Sequence, residues 1–223
     1  MRTKKSGSPT AAAPKVVTDM PDATLQMTGA TVDEIWPLVR NHHYSKRRTA
    51  DPMFCFAWRQ PGGLFGHTGE PLAGIIYTAP VNRYFGTGAI ELARLVRKPE
   101  LAEPLSSFIA WSLRWLRANT DLRYCLSYAD AGAGHHGGIY QACNFTYVRQ
   151  TYGNRFYQND QTGEIVSGRS FDQRRAAYKA GWRAFKTAPK YLYVFPLNEP
   201  HDELLDRFRW HAFPYPKPGR GDQ

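Results

Sequence analysis

Residues 105–120, LSSFIAWSLRWLRANT, most constrain what this chain can fold into. Leu105, Phe108, Ile109, Leu113 and Leu116 recur at helical spacing and give an amphipathic helix with one apolar face. On either side lie apolar runs of strand type, AIELARLVRK (89–98) and LRYCLSYAD (122–130). A helix set between two such strands has to cover a sheet, so the segment predicts an α/β fold. The same alternation runs along the chain. ATVDEIWPLVRNHHYSKR reads as a first helix, with Thr31 and Glu34 at capping-box spacing and Ile35, Leu38 and Val39 on one face. MFCFAWRQ (53–60) and LAGIIYTAP (72–80) read as strands joined by a glycine-rich connection.

The second half continues the pattern. SYADAGAGHHGGIYQACNFTY, Ser127–Tyr147, turns from a strand into a short helix over 137–143. FTYVRQTYGNRFYQ follows as one strand, QNDQTGEIVSGRSF as a hairpin turning near Thr162 and Gly163, and KYLYVFPL (190–197) as a closing strand. Between the last two, DQRRAAYKAGWRAFKT reads as a basic helix. The expectation is a single domain over 23–200, with a central mixed, mostly antiparallel sheet flanked by helices. A disordered basic arm (1–22) precedes it and a loose tail (201–223) follows.

Charge narrows the partner. Lys and Arg number 29 against 19 Asp and Glu, a net charge of +10. Each cation set against a phosphate releases a condensed counterion, so an excess of this size favours a nucleic acid over a mere solubility surplus. Arg175, Lys179, Arg183 and Lys186 line one face of the predicted basic helix and are the candidate DNA contacts, with Tyr178, Trp182 and Phe185 packing beside them. No apolar run is long enough to span a bilayer, and the arm lacks the apolar core of a secretory signal. Three widely spaced cysteines fit core thiols in a reducing cytoplasm better than a disulfide framework.

Several polar residues stand where chemistry is placed. His43 and Tyr44, leaving the first helix, can coordinate a metal, position a proton, stack on a base, or simply close the helix. Arg94 interrupts an apolar strand; inward it needs an anionic partner, outward it is surface charge. Ser107 caps the central helix or offers a hydroxyl to an anion there. Asp130 ends a strand at its carboxyl side, where α/β sheets bind ligands, and serves as base, metal ligand or turn-ordering residue. Tyr140 is either an acid near the reacting group or a packed ring. His135 and His136 are adjacent, so their side chains diverge and make a poor shared metal site.

The order of elements resembles the second half of the acyl-CoA N-acetyltransferase-like fold, and GGIYQACNFTYV resembles its short-helix signature. VRKPELAEPLSS departs from that fold, however. It has two prolines, two glutamates and no glycine where a pyrophosphate-binding loop belongs. A closer likeness joins RNHHYSKR, IELARLVRKPEL, SSFIAWSLRWL, SYADAGAGHHGGIYQACNFTY and KYLYVFPL in this order. Together they resemble the phage Mom family, a diverged branch of the acetyltransferase-like superfamily, over roughly residues 30 to 197.

That resemblance implies conversion of DNA adenine to N6-carbamoylmethyladenine in the cytoplasm of a phage's bacterial host, protecting the DNA from restriction. It implies functional roles for Tyr44, Arg94, Ser107, Asp130 and Tyr140, with adenine N6 activated by Asp130 or by a metal-linked group. It also implies iron, gathered by His43, Tyr44 and Asp130, and it favours Ser107 over Ser106. The group donor is not written in the residues. The DNA would be double-stranded with its adenine flipped out, onto an aromatic wall drawn from Trp36, Tyr44, Trp58, Tyr77 and Tyr84. A homodimer is compatible with the sequence. The competing readings are an acetyl-CoA-dependent N-acetyltransferase on a small amine or protein, and a basic DNA-binding protein without chemistry.

Overall fold

The computed structural model describes residues 26–49, 51–60, 69–168 and 181–217. In chain order the elements are β1 (Gln26–Gly29), α1 (Val32–His42), β2 (Pro52–Arg59), β3 (Pro71–Thr78), β4 (Ala89–Arg97), α2 (Leu105–Asn119) and β5 (Tyr124–Asp130). There follow α3 (Gly138–Gln141), β6 (Thr146–Gln150), β7 (Arg155–Asn159), β8 (Ile165–Ser167), β9 (Trp182–Lys186), β10 (Lys190–Pro196) and α4 (His201–Phe208). The expected α/β architecture is present, with seven strands in the central sheet and three in a small second sheet. The chain divides into two compact units, the first made of residues up to 83 with 91–112, the second of 84–90 with 113 onward.

In the first unit β1, β2, β3 and β4 pair antiparallel in that order. Helix α1 starts at the predicted capping box: the Glu34 amide donates to Thr31 Oγ1 at 3.3 Å, and the Thr31 amide to Glu34 Oε2 at 2.7 Å. It lays Ile35, Leu38 and Val39 on Cys55, Ile76 and Val96, one face of the sheet. Each side chain buried this way contributes about 2 kcal/mol. Gly74 on β3 lies directly beneath Ile35, where any Cβ would overlap it. The opposite face meets α2: Tyr77 bonds Ser112 at 2.8 Å, Phe56 sets its edge to Trp111, and Trp58 packs on Phe108.

One buried cation ties α1 to the sheet. Arg59, 4% exposed, donates to Glu34 Oε1 at 2.6 Å, to Thr28 Oγ1 and to the Gly69 carbonyl. Burial raises the Glu34 carboxyl, but hydrogen bonds from Thr31 and Arg59 outweigh it and hold the group below its ordinary value. Because the folded-state value is the lower one, this stabilisation is complete above the ordinary carboxylate range and is lost as pH falls through the lowered value. Glu34→Gln should therefore cost about 2 kcal/mol at neutral pH by leaving Arg59 buried with weaker partners. In urea melts that deficit should shrink below pH 4 or so, where the wild-type carboxyl also protonates; a deficit constant with pH would refute the account.

In the second unit β5, β10 and β6 pair antiparallel. Tyr124, Leu126, Leu192, Val194 and Val148 form one buried face, closed by Leu204 and Phe208 of α4 and by Trp210. The expected loose tail is thus folded as far as 217. Its apolar residues repeat along α4 and fill the core, and Tyr215 donates to the Phe145 carbonyl at 2.9 Å. Arg123 and Arg207 pair with Glu199 ahead of α4.

Two expectations fail locally. The single strand over 145–158 breaks at 151–154 into β6 and β7, whose second half joins a separate sheet, order β8-β7-β9. The predicted basic helix is a strand where it is described. Residues 182–186 form β9, because alternating Trp182, Ala184 and Lys186 against Arg183 and Phe185 suit a two-sided ribbon. The remainder of that segment lies outside the described residues.

Candidate functional site

A bulge in β4 decides where Arg94 goes. Tyr77 pairs with Leu92 and Ile76 with Arg94, leaving Ala93 as the extra residue. Tyr77 belongs to the α2 face and Ile76 to the α1 face, so Leu92 and Arg94 take opposite sides. Arg94 is half-buried beyond the end of α1, and its hydrogen bonds go to carbonyls. Nη1 donates to Ala93 at 2.6 Å; Nε and Nη2 reach the Arg47 carbonyl at 3.4 and 3.5 Å. Burial pulls the guanidinium below the ordinary arginine value; Tyr44 and Glu91 act the other way, and Arg47 adds to the drop. The group remains a cation, held in place by backbone oxygens, with donor capacity left for an anionic or carbonyl oxygen.

His43 and Tyr44 close α1 beside it. His43 is 8% exposed and its ring lies on that of Tyr44, centroids 4.4 Å apart; Tyr44 itself is 52% exposed. The Ser45 amide donates to His43 Nδ1 at 3.1 Å. Ser45 Oγ lies 3.1 Å from the same nitrogen, so the ring is tethered to the residues that follow α1. Among the described residues no group of three His, Cys, Asp or Glu stands together to hold a metal ion. Of the set that the family likeness implies for iron, His43 and Tyr44 stand together in the first unit and Asp130 belongs to the second, and no chemical step is derived through iron.

Ser107 lies in the first turn of α2, exposed, its amide donating to the Pro104 carbonyl at 3.2 Å. Helix α2 covers the face opposite Arg94, so the two side chains are not gathered by the packing of this unit.

In the second unit Asp130 ends β5 and orders the turn that follows. Oδ1 accepts from the Gly132 amide at 3.0 Å, and Oδ2 meets Lys190 Nζ at 3.2 Å. Lys190 stands directly opposite on β10, a partner that the sequence alone did not single out. A carboxylate has about four lone-pair positions, so Asp130 keeps capacity for a further donor. The glycines then do separate jobs. Gly134 and Gly137 take positive φ, at 75° and 85°, and Gly137 rests on the Tyr193 ring. The Tyr193 hydroxyl donates to the His136 carbonyl at 2.5 Å, holding the turn from below. Tyr140 packs its ring between Phe145 and Tyr193. Asp130 sits with Lys190 on the face of Leu126 and Leu192, whereas Tyr140 sits against the face of Tyr193, so the sheet separates the two.

The DNA candidates sort by strand geometry. Arg175 and Lys179 lie outside the described residues. Arg183 and Lys186, three apart on a strand, point to opposite sides, and exposed Arg183 has Asp160 at 3.6 Å. Lys186 shares its side with Arg155, directly across the ladder. Of the aromatic walls, Trp58 and Tyr77 are buried core rings, Trp36 is half-buried, and Tyr44 and Tyr84 are exposed. The cysteines are buried thiols outside any disulfide, as expected; burial pushes Cys55 and Cys143 up to about 11. No helix among the described residues is long and apolar enough to cross a membrane.

Comparison with known proteins gives two kinds of likeness. Solved structures of similar chain path include an IAA acetyltransferase from Bacillus cereus, 8% identical, covering 78% of this chain and 100% of its own, TM-score 0.48. Another is the ribosomal-protein-S18-alanine N-acetyltransferase from Escherichia coli, 7% identical, covering 80% and 97%, TM-score 0.46. A third is spermidine N-acetyltransferase from Vibrio cholerae in complex with CoA and spermine, 9% identical, covering 80% and 98%, TM-score 0.47. No curated protein matches the chain in sequence. The profile of one family matches residues 25–217, from β1 through the segment beyond α4, and on that span the chain belongs to the Mom protein family.

Proposed function

We propose that this protein is a DNA-modifying transferase that converts adenine in duplex DNA to N6-carbamoylmethyladenine and so shields phage DNA from host restriction. Membership of the Mom family over residues 25–217 carries the reading. The net charge of +10 and the half-buried, carbonyl-tethered Arg94 support it.

The chemistry needs an extruded adenine, because N6 in a stacked pair is out of reach. An N6–carbon bond forms to the donor, the donor's leaving group departs, and N6 gives up one proton. Asp130, at the carboxyl end of β5 with lone pairs to spare, is the proton acceptor in this scheme. Arg94 stabilises negative charge gathering on a donor oxygen, with the Tyr44 hydroxyl beside it.

The test is direct. The protein is expressed in bacteria, their DNA is digested to nucleosides, and deoxyadenosine is examined by mass spectrometry. A carbamoylmethyl group in place of one hydrogen is the expected result; an unchanged adenine peak from folded protein refutes the reading. Asp130→Asn keeps an oxygen to accept from Gly132 but removes the base. It should lower modification about 100-fold or more, with melting temperature lowered by only a few degrees for the lost Lys190 pair. Full activity in that variant would displace Asp130 from the scheme.

A further inference from the structure

The strands β6 and β10 do not end where the central sheet does. Beyond their last pair, the Thr151 amide donates to the Lys190 carbonyl at 2.7 Å, and the Lys190 amide to Thr151 Oγ1 at 3.2 Å. Next the Thr187 amide donates to the Asn154 carbonyl at 2.9 Å, and the Asn154 amide to Thr187 Oγ1 at 3.0 Å. The ladder then resumes as β7 against β9, from Arg155 opposite Lys186 to Asn159 opposite Trp182. The same two chain segments therefore form one long ribbon leaving the sheet from the pair Asp130 and Lys190. At its neck Gly153 lies so close to the Thr187 carbonyl that no side chain would fit.

The ribbon's charge is uneven. Arg155 and Lys186 are exposed direct cross-strand neighbours, and neither has a carboxylate partner among the described residues. Two cations facing each other across a ladder repel, a destabilising arrangement that an anion between them reverses. Tyr157 and Trp182 lie on the same side of this sheet, by strand alternation. Tyr152, at the neck, is 98% exposed. From Lys186 to Lys190 the chain covers at most about 13 Å at ~3.3 Å per residue, the rise of about four stacked nucleotides at ~3.4 Å each.

We propose that this ribbon is the DNA-docking element of the protein: Arg155 and Lys186 grip a backbone phosphate a few nucleotides from the adenine, and Tyr152 stacks into the gap that the extruded base leaves. The proposal rests on the DNA-modifying reading above and adds where the duplex lies. Phosphate contacts fix register and orientation without reading sequence, and an aromatic wedge replaces the stacking that extrusion removes.

Two measurements test it on the full chain, with a short duplex carrying 2-aminopurine at the target adenine. Fluorescence anisotropy over a salt series should show that Arg155→Ala with Lys186→Ala lowers the slope of log affinity against log salt by about 1, close to 0.9 for the one phosphate that loses its cations. Arg114→Ala, an exposed α2 site, should leave the slope unchanged. Tyr152→Ala should keep the slope but lose the rise in 2-aminopurine emission. All three ribbon positions are exposed, so melting temperatures should stay within a few degrees of wild type. An unaltered slope in the double variant, or undiminished 2-aminopurine emission in Tyr152→Ala, overturns the proposal. Wild-type protein that neither binds the duplex nor modifies adenine defeats the DNA reading itself. Wild-type modification with an unaltered double variant defeats only the ribbon.

Discussion

Arg94→Ala should lower adenine modification about 100- to 1,000-fold while the protein stays folded. Removing one preorganised donor from the place where charge develops typically has an effect of that size. The fold should tolerate the change, because the guanidinium is only half-buried and its partners are the carbonyls of Ala93 and Arg47, which water can reach in its absence. Arg94→Lys is the informative companion. It keeps the charge but loses the planar fork that spans two acceptors, so it should recover only a small part of the activity. Nucleoside mass spectrometry alongside thermal unfolding separates the two effects. Normal modification by the alanine variant would mean that the cation serves only the strand.

The largest expected effect on stability lies at Gly137. A Cβ there would overlap the Tyr193 ring, and φ is 85°, which disfavours any L side chain. Strain of about 1–2 kcal/mol adds to an overpacking cost of similar size, giving about 3 kcal/mol for Gly137→Ala. In a chain of this length that corresponds to roughly 10 °C in melting temperature. Gly134→Ala makes the comparison clean. Its φ is 75°, but nothing lies within 4 Å of the added Cβ, so only the backbone strain of about 1 kcal/mol applies. Equal losses at the two glycines would show that the Tyr193 ring yields freely.

The contrast between these glycines bears on what sequence can reveal. Helical spacing located α1 and α2, and the capping box at Thr31 and Glu34 located the start of α1 to the residue, because those signals are local. The turn after Asp130 was legible from its glycines, yet nothing local says that Tyr193, 56 residues beyond Gly137, fills the space under one of them. The basic stretch failed for a different reason. Arg175, Lys179, Arg183 and Lys186 satisfy a helical period, but Trp182 to Lys186 also alternate, and pairing with Arg155 to Asn159 decides for the strand. Residues such as Lys190 and Arg155 carry no local signal, because their significance lies in what faces them across a ladder. Asp130 and Tyr140 are close in sequence, yet strand alternation starts Asp130 from one side of the sheet while Tyr140 packs against Tyr193 on the other.

The extra residue in β4 has a genetic corollary. Loops ordinarily absorb insertions and deletions of one residue, while strands keep their length because a slip turns every side chain over. In β4 the rule gains a twist. Losing Ala93 would leave the hydrophobic pattern intact and remove no buried bulk, so by composition it would pass for a silent event. It would nonetheless take away the 2.6 Å carbonyl tether of Arg94. Relatives that keep an arginine here but are one residue shorter between Leu92 and Arg94 would retain the letter and lose the bulge that precedes it.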